Sequence, residues 1–545
     1  MHPSTLTVFL CLTAFPLSVL SQCPNGCLCG NFHTVSCAGS DIITMPLTSS
    51  VMPNIKSFIL THTNVATIPS ASFITYPNLN YIGLKYNKIN KIEPGAFKGL
   101  SKLTTIDFTG NKLQVIENNL YANSTNLRKL KFDKNSITSV KNQAFNGLHK
   151  LSMLSFSNNQ LREIPTIALH PLSQLNTLIL DNNQLSRIDD ESFKLPNLQE
   201  LRLFHNSVMN ISDRAFKWNS NLKYLGLSYN KLNTINQKTF QPLSHLMELY
   251  LSKNEITSLS AELFQNLNNL LALDISNNHI AKISNNIFAP MRNLRRLNLS
   301  YAKLTSITKT SFGSMPNLIQ LILTNNEISR IEDAAFTKMK SLTEIYLQGN
   351  RLTTVNSKVF ISLSTLQKLD ISNNCLYDIK NSAFKKLNNL HSLNLGNNHL
   401  SIIRHNAFEG LLKLYELNML RTNVTCVHKD AFVKMPNLKT LISHSAAVCC
   451  NLPTQKSCKA YSGSCEKVNQ KCHNNMPKPA LCHGRPLKSF SNVRSTSAPM
   501  VYTATNKIQT IIKIEQTSGA WSIFARSQVD LIILSVLSSY FLHMV

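Results

Sequence analysis

Between residues 55 and 448 the pattern L-x-x-L-x-L-x-x-N-x-L returns with a period of 24. A chain that repeats one short unit this often is confined to stacked architectures. Clear copies begin at Leu79, Leu151, Leu175, Leu222, Leu246, Leu270, Leu342, Leu366 and Leu390, and the count is 17 units. The end units are degenerate: Thr63 and Thr422 stand at the Asn position, and Ser443 takes a Leu position. Most units also carry a Phe near position 19, as at Phe97, Phe145, Phe240, Phe264, Phe336, Phe384 and Phe408. A length of 545 residues would ordinarily suggest three or four domains, but repetition overrides that expectation.

The spacing dictates the physics. In L-x-L both leucines face one side of a short strand and the residue between them faces the other. Each unit therefore adds one strand to a parallel ladder, and no unit can bury its apolar edge without its neighbours. The Asn at position 9 is placed to bond the backbone of the turn that leaves the strand, turn after turn. The Phe is expected on the convex side. With strands ~4.8 Å apart the ladder spans on the order of 80 Å, a curved binding surface rather than a catalytic pocket. The consensus identifies the chain as resembling leucine-rich repeat proteins, which implies an α/β solenoid: a horseshoe with a parallel concave β-sheet and disulfide caps.

Thirteen cysteines fall almost wholly into two terminal groups, as in a secreted protein whose open stack must be capped. Cys23-x3-Cys27-x-Cys29-x7-Cys37 precedes the first unit and resembles the N-terminal cap of Slit-type and other extracellular leucine-rich repeat proteins. That resemblance implies the pairs Cys23–Cys29 and Cys27–Cys37. After the last unit, the vicinal Cys449-Cys450, then Cys458 and Ser464-Cys465-Glu466, resemble the hinge of leucine-rich-repeat G-protein-coupled receptors of the relaxin and glycoprotein-hormone type. A seven-helix domain is not expected to follow that hinge here. Cys426 stands at position 13 of its unit and Cys449 at position 12 of the next. Neighbouring units ~5 Å apart would let these two pair. Cys375 lies about two units from Cys426, roughly 10 Å, beyond disulfide reach. That leaves it as a free or intermolecular thiol, or a small buried hydrophobe. Cys465, Cys472 and Cys482 are expected in further disulfides. The strings Cys472-His473 and Cys482-His483 could ligate zinc, but an oxidising compartment favours disulfides, and no metal site or cofactor is expected.

Both ends carry processing signals. Residues 5–20 form an apolar run in which Val19, with Ser21 just after it, supplies a signal-peptidase site, so residues 1–21 are expected to be a signal peptide. At the other end the small triplet Ser518-Gly519-Ala520, a spacer to Asp530 and the uncharged run 531–545 follow the order of a glycosylphosphatidylinositol attachment signal, with Ser518 as the attachment residue. The alternative is a short single-pass helix, although fifteen to seventeen apolar residues fall below the ~20 needed to cross. The expected organisation is a signal peptide (1–21), an N-terminal cysteine cap (22–54), seventeen repeats (55–448) and a C-terminal cysteine-rich cap or hinge (449–483). A Ser/Thr-rich stalk (484–518) and the attachment signal or short anchor (519–545) complete it.

Positions 2, 3, 5, 7 and 8 of each unit project from the concave ladder. In the central units they bring up Phe204, Tyr224, Tyr229, Tyr250, Tyr301 and Tyr346, interleaved with Arg202, Glu248, Asp274, Arg295, Arg296, Glu344 and Asp370. Tyr and Arg most often anchor protein interfaces, although Tyr also simply suits a strand surface. Four N-x-S/T sequons occur, at Asn123, Asn210, Asn298 and Asn423. Asn298 sits between Leu297 and Leu299, so a glycan there would stand in the middle of the concave arc. The formal net charge is +27. Such a charge would usually suggest nucleic acid, which the secretory route argues against. Lys456 to Arg494 carries eight Lys/Arg against one acid, Glu466, and could hold sulfated glycans or be a solvated linker.

The sequence contains no H-E-x-x-H, no G-x-S-x-G and no phosphate-binding Gly-rich loop, so no enzyme is expected. The expectation is a receptor or adhesion molecule on the outer leaflet, lipid-anchored, recognising an extracellular protein ligand through the concave face. The alternative is a secreted decoy or matrix-organising protein that sequesters a relaxin-like or cystine-knot ligand.

Overall fold

A computed structural model of the chain describes residues 23–30, 33–121, 124–452 and 457–460, with the backbone of 516–517 and 520–521. The chain divides into two compact units, Met1–Gly484 and Arg485–Val545. In the second, Gln516–Thr517 pairs antiparallel with Ala520–Trp521.

The first unit is built around a 20-stranded sheet. Cys27–Gly30 runs antiparallel to Thr34–Ala38, which pairs in parallel with Ser57–Thr61. From there each repeat contributes one strand, typically of three residues, in parallel register with the last, ending at Thr440–Ile442. The seventeen strands from Ser57–Thr61 to Thr440–Ile442 match the seventeen units read from the sequence. Their burial alternates as L-x-L requires: in Glu248–Tyr250 the central Leu249 is buried and both flanking side chains are half exposed. A second series of two-residue parallel pairs, such as Ile402–Ile403 with Cys426–Val427, lies further along the units.

Three internal ladders hold the stack. The leucines form one buried core that runs from Val35 to Cys449. The position-19 phenylalanines stack face to face through the units, with centroids 6.2, 6.3 and 6.1 Å apart along Phe264, Phe288, Phe312 and Phe336. They are fully enclosed. The position-9 asparagines form the third ladder. Asn254 Nδ2 donates to the carbonyls of Leu227 and Leu251, each at 3.0 Å, and its Oδ1 accepts from the Leu232 N–H at 3.0 Å. Each amide thus ties three backbone groups that would otherwise be buried without partners. Ala302 interrupts this ladder, and Asn326 Oδ1 accepts from both Ala302 N and Leu304 N.

Helix is nearly absent from this α/β-class solenoid. The described residues hold only the four-residue Thr166–Leu169 and Ala446–Cys449, and elsewhere turns join the strands. A 24-residue unit spends its length on two short strands and the tight turns between them, which leaves no room for a multi-turn helix.

The N-terminal cap has the expected disulfides, Cys23–Cys29 and Cys27–Cys37. The C-terminal cap differs from expectation. Cys449 pairs with Cys458, not with Cys426. The reason is an extra strand, Ser457–Lys459, which docks in parallel on Thr440–Ile442 with Cys458 beside Leu441 and so brings its sulfur to the helix Ala446–Cys449. Cys426 and Cys450 are disulfide-bonded as well, and so is Cys375, which is therefore no free thiol. Cys465, Cys472, Cys482, the basic hinge beyond residue 460, the stalk and Ser518 fall outside the described residues. Among the described residues no helix is long and apolar enough to cross a membrane.

Candidate binding surface

The strand registers decide which of the sequence-selected side chains meet. Glu200, Tyr224 and Glu248 occupy one line across three neighbouring strands, and Arg202, Gly226 and Tyr250 the next. Gly226 leaves a hollow between Arg202 and Tyr250, and the ring of Phe204 fills it: a Cβ at Gly226 would collide with the Phe204 ring carbons. The result is a three-ring cluster, with Tyr224 and Tyr250 centroids 5.3 Å apart and Phe204 at 6.3 Å from each. The guanidinium of Arg202 lies 5.7 Å from the Phe204 ring centre. All four side chains are half buried among themselves yet open to solvent on the sheet face.

Charge frames the rings. Arg202 Nε lies 3.2 Å from Asp181 Oδ2 and its Nη1 lies 3.7 Å from Glu200. Burial pushes the Asp181 carboxyl up to about 6, outweighing the Phe204 N–H that it accepts and the nearby Arg202 charge. Tyr250 donates its hydroxyl to Glu248 Oε2 at 2.7 Å. Burial, then that bond, pushes the Tyr250 hydroxyl well above its ordinary range, and burial does the same to Tyr224. Both therefore stay protonated donors at any physiological pH.

A second group lies four strands along. Tyr346 donates to Glu344 at 3.0 Å, Gln320 Nε2 donates to the same carboxylate at 2.6 Å, and the Lys368 ammonium sits 5.1 Å from the Tyr346 ring centre. Four strand spacings amount to roughly 19 Å, so the two groups are separate patches. Asn298 stands midway, two strands from each, half exposed on the sheet face. Its Oδ1 accepts from the Ser300 N–H and hydroxyl.

The remaining selected residues divide. Asp274 accepts from Ser276 N at 2.9 Å, and Asp370 accepts from Ser372 N at 3.0 Å and from Asn394 Nδ2 at 3.0 Å. These carboxylates close the turn at the end of their own strands, as Asx residues do, which occupies part of their acceptor capacity. Arg295 and Arg296 are exposed. Tyr229 and Tyr301 lie off the strands at position 8, with φ of 59° and 54°. A left-handed backbone is unusual for a bulky residue, yet position 8 adopts it in unit after unit, from His62 and Tyr86 to Arg421. There Tyr229 stacks on His205 at 3.9 Å, and the Lys253 ammonium lies 4.5 Å from its ring centre. The sequence selection missed Asp181, His205, Gly226 and Lys253. Reading positions 5, 7 and 8 against the two neighbouring units, rather than for aromatics and charge alone, would have found them. Of the sequons, Asn210 and Asn423 are exposed and Asn123 lies outside the described residues.

A family model described as leucine rich repeat matches residues 53–113, 196–255, 244–304, 292–352, 340–400 and 388–442. A second, the BspA type leucine rich repeat region, matches residues 91–223. Comparison with curated proteins returns no significant match. Among solved structures, Toll of Drosophila in its complex with Spatzle is 22% identical with a TM-score of 0.59, over 72% of this chain and 51% of that one. A leucine-rich repeat protein of Leptospira interrogans is 23% identical with a TM-score of 0.52, over 69% of this chain and 98% of that one. These likenesses establish the solenoid fold.

Proposed function

Because the chain belongs to the leucine-rich repeat family, we propose that it is a binding protein of the cell surface, a receptor or adhesion molecule that recognises an extracellular protein through its concave sheet. The observation that carries the reading is the cluster of Arg202, Tyr224, Glu248 and Tyr250 on adjoining strands, with Phe204 packed on it from just past the end of its own strand. Rigid aromatic rings beside an Arg bury large area at small entropy cost, which is the composition of an interface anchor. The sheet holds these rings in register and lends them a stiffness that loops lack. The group around Glu344, Tyr346 and Lys368 supplies a second contact area, and a glycan on Asn298 would keep the two apart. Toll has this fold and forms a complex with Spatzle, which supports protein recognition as the use of such a face here. A solenoid built for recognition needs no catalytic residues, and the proposed function assigns none.

Secretion and the lipid anchor rest on residues 1–21 and 518–545 and on the disulfides of both caps. The full chain expressed in animal cells and treated with phosphatidylinositol-specific phospholipase C tests them. Release into the medium upholds the anchored receptor. Retention on the cell makes the tail a membrane span. Protein in the untreated medium favours the alternative, a secreted decoy or matrix organiser, for which the cysteine-rich hinge is the supporting resemblance.

A further inference from the structure

Away from the sheet face, the described residues bring three metal-binding atoms together at one place. His405 follows the strand Ile402–Ile403 and His428 follows Cys426–Val427, and these strands pair in parallel with Ile402 beside Cys426. His405 Nδ1 lies 3.3 Å from His428 Nδ1, and each nitrogen lies 3.8 Å from Asp430 Oδ2. No zinc consensus contains these residues, because the spacing that joins them is one turn of the solenoid rather than one turn of a helix.

The distances match a particular coordination sphere. Zinc bound tetrahedrally at ~2.0–2.1 Å sets two ligand atoms ~3.3 Å apart. The imidazole pair already has that separation. The two edges to the carboxylate are about half an ångström longer, within reach of a small rotation, since both histidines are exposed and Asp430 is half exposed. His428 Nδ1 lies 3.3 Å from both the Asp430 N–H and His405 Nδ1, so an ion on its single in-plane lone pair would replace two long contacts. Without an ion, the 3.3 Å contact between the two Nδ1 atoms is an isolated one between surface rings, with little net value. The backbone under the site is fixed: His428 N donates to Ile403 O at 2.9 Å, and Cys426 is disulfide-bonded. Of the cations next to the ligands in sequence, Arg404 is paired with Asp378 at 3.2 Å and Lys429 is exposed to solvent. Two nitrogens and one carboxylate oxygen suit a borderline divalent transition metal, not Ca²⁺ or Mg²⁺.

We propose that His405, His428 and Asp430 form a surface Zn²⁺ site across two adjacent repeats, with the fourth position open to water or to a donor from another molecule. The site is independent of the concave patch. Its test is Zn²⁺ titration by calorimetry of the chelator-treated full chain, beside His405→Gln, His428→Gln and Asp430→Asn, with the exposed His279→Gln as control. Co²⁺ is then used for its visible absorption as a second readout. The expected result is a single high-affinity event, weakened more than about tenfold by each of the three substitutions and untouched by His279→Gln. The visible bands of four-coordinate Co²⁺ should disappear in the same three variants. Two results would overturn the assignment: no Zn²⁺ binding by the wild-type chain, or binding that persists in all three variants. All three side chains lie at the surface, so circular dichroism should be unchanged, and any one folded variant suffices for the decision.

Discussion

Replacing Asn254 with alanine removes one rung of the amide ladder, and the cost can be worked out group by group. The Leu227 carbonyl keeps the bond it accepts from Asn230 Nδ2, and the Leu251 carbonyl keeps the one from Asn278 Nδ2, both at 3.0 Å. The Leu232 N–H, in contrast, has Asn254 Oδ1 as its acceptor and is left buried. An orphaned buried donor costs about 1–3 kcal/mol and the lost bonds add about 1 kcal/mol more, for a total of about 2–4 kcal/mol. A solenoid opens locally rather than all at once, so the assay is native-state hydrogen exchange read by mass spectrometry. Peptides covering residues 225–256 should lose protection by roughly 30- to 1,000-fold, with units near either cap unaffected and the exposed Asn268→Ala silent. Asn254→Asp sharpens the test. It keeps the acceptor for Leu232 but turns a carboxylate oxygen toward the Leu227 and Leu251 carbonyls, where an amide now donates. That raises the folded-state pKa of the new group, so the Asp variant should be more stable at acidic pH and lose stability as pH rises through that value. A loss of protection below about fivefold in Asn254→Ala, or one spread evenly over all units, would refute the assignment of the ladder as the local clamp.

Other outcomes follow from the same geometry. Gly226→Val should expel the Phe204 ring from its hollow and abolish ligand binding through the central patch, while far-ultraviolet circular dichroism stays that of the wild type. Asp181 is uncharged in the fold up to about pH 6, above its unfolded value. The stability it contributes is fully present below about pH 4 and lost as pH rises through about 6. The melting temperature of Asp181→Asn should therefore gain on that of the wild type between pH 4 and pH 7. Cys458→Ser opens a loop whose ends are 9 residues apart and should cost about 2–3 kcal/mol, seen as faster exchange in Thr440–Ile442 and not in the N-terminal units. Glycopeptide mass spectrometry of the chain expressed in animal cells should find Asn298 carrying a glycan, and Asn298→Gln should remove that mass.

Much of this architecture could be read from residue spacing because a repeat states its contacts many times over. The Leu and Asn positions each predicted a ladder, and the resemblance of the N-terminal cysteine pattern to extracellular repeat caps implied both disulfides, whereas the stacking of the Phe rings was not foreseen. What escaped was whatever the consensus does not contain. The strand Ser457–Lys459 has no repeat signature, so its docking, and with it the Cys449–Cys458 bridge, was invisible to an argument from unit positions. The left-handed backbone at position 8 is imposed by the turn and tolerated by Tyr, His and Lys alike, so composition gave no sign of it. The group at His405, His428 and Asp430 arises from stacking across units, as does the nesting of Phe204 over Gly226. Side chains chosen for type alone sorted into two patches and a set of turn-closing carboxylates only once the registers were known.

Recognition through the cluster of Phe204, Tyr224 and Tyr250 can be put to one comparison. Cells displaying the full chain would be probed with a panel of purified secreted proteins, in parallel with cells displaying Phe204→Ala/Tyr224→Ala/Tyr250→Ala and cells displaying the exposed Ile361→Ala/Val433→Ala. A specific partner should lose at least about 100-fold in affinity, some 2.7 kcal/mol or more, on the concave variant and none on the control. A partner that binds the concave variant as tightly as the wild type would contradict it.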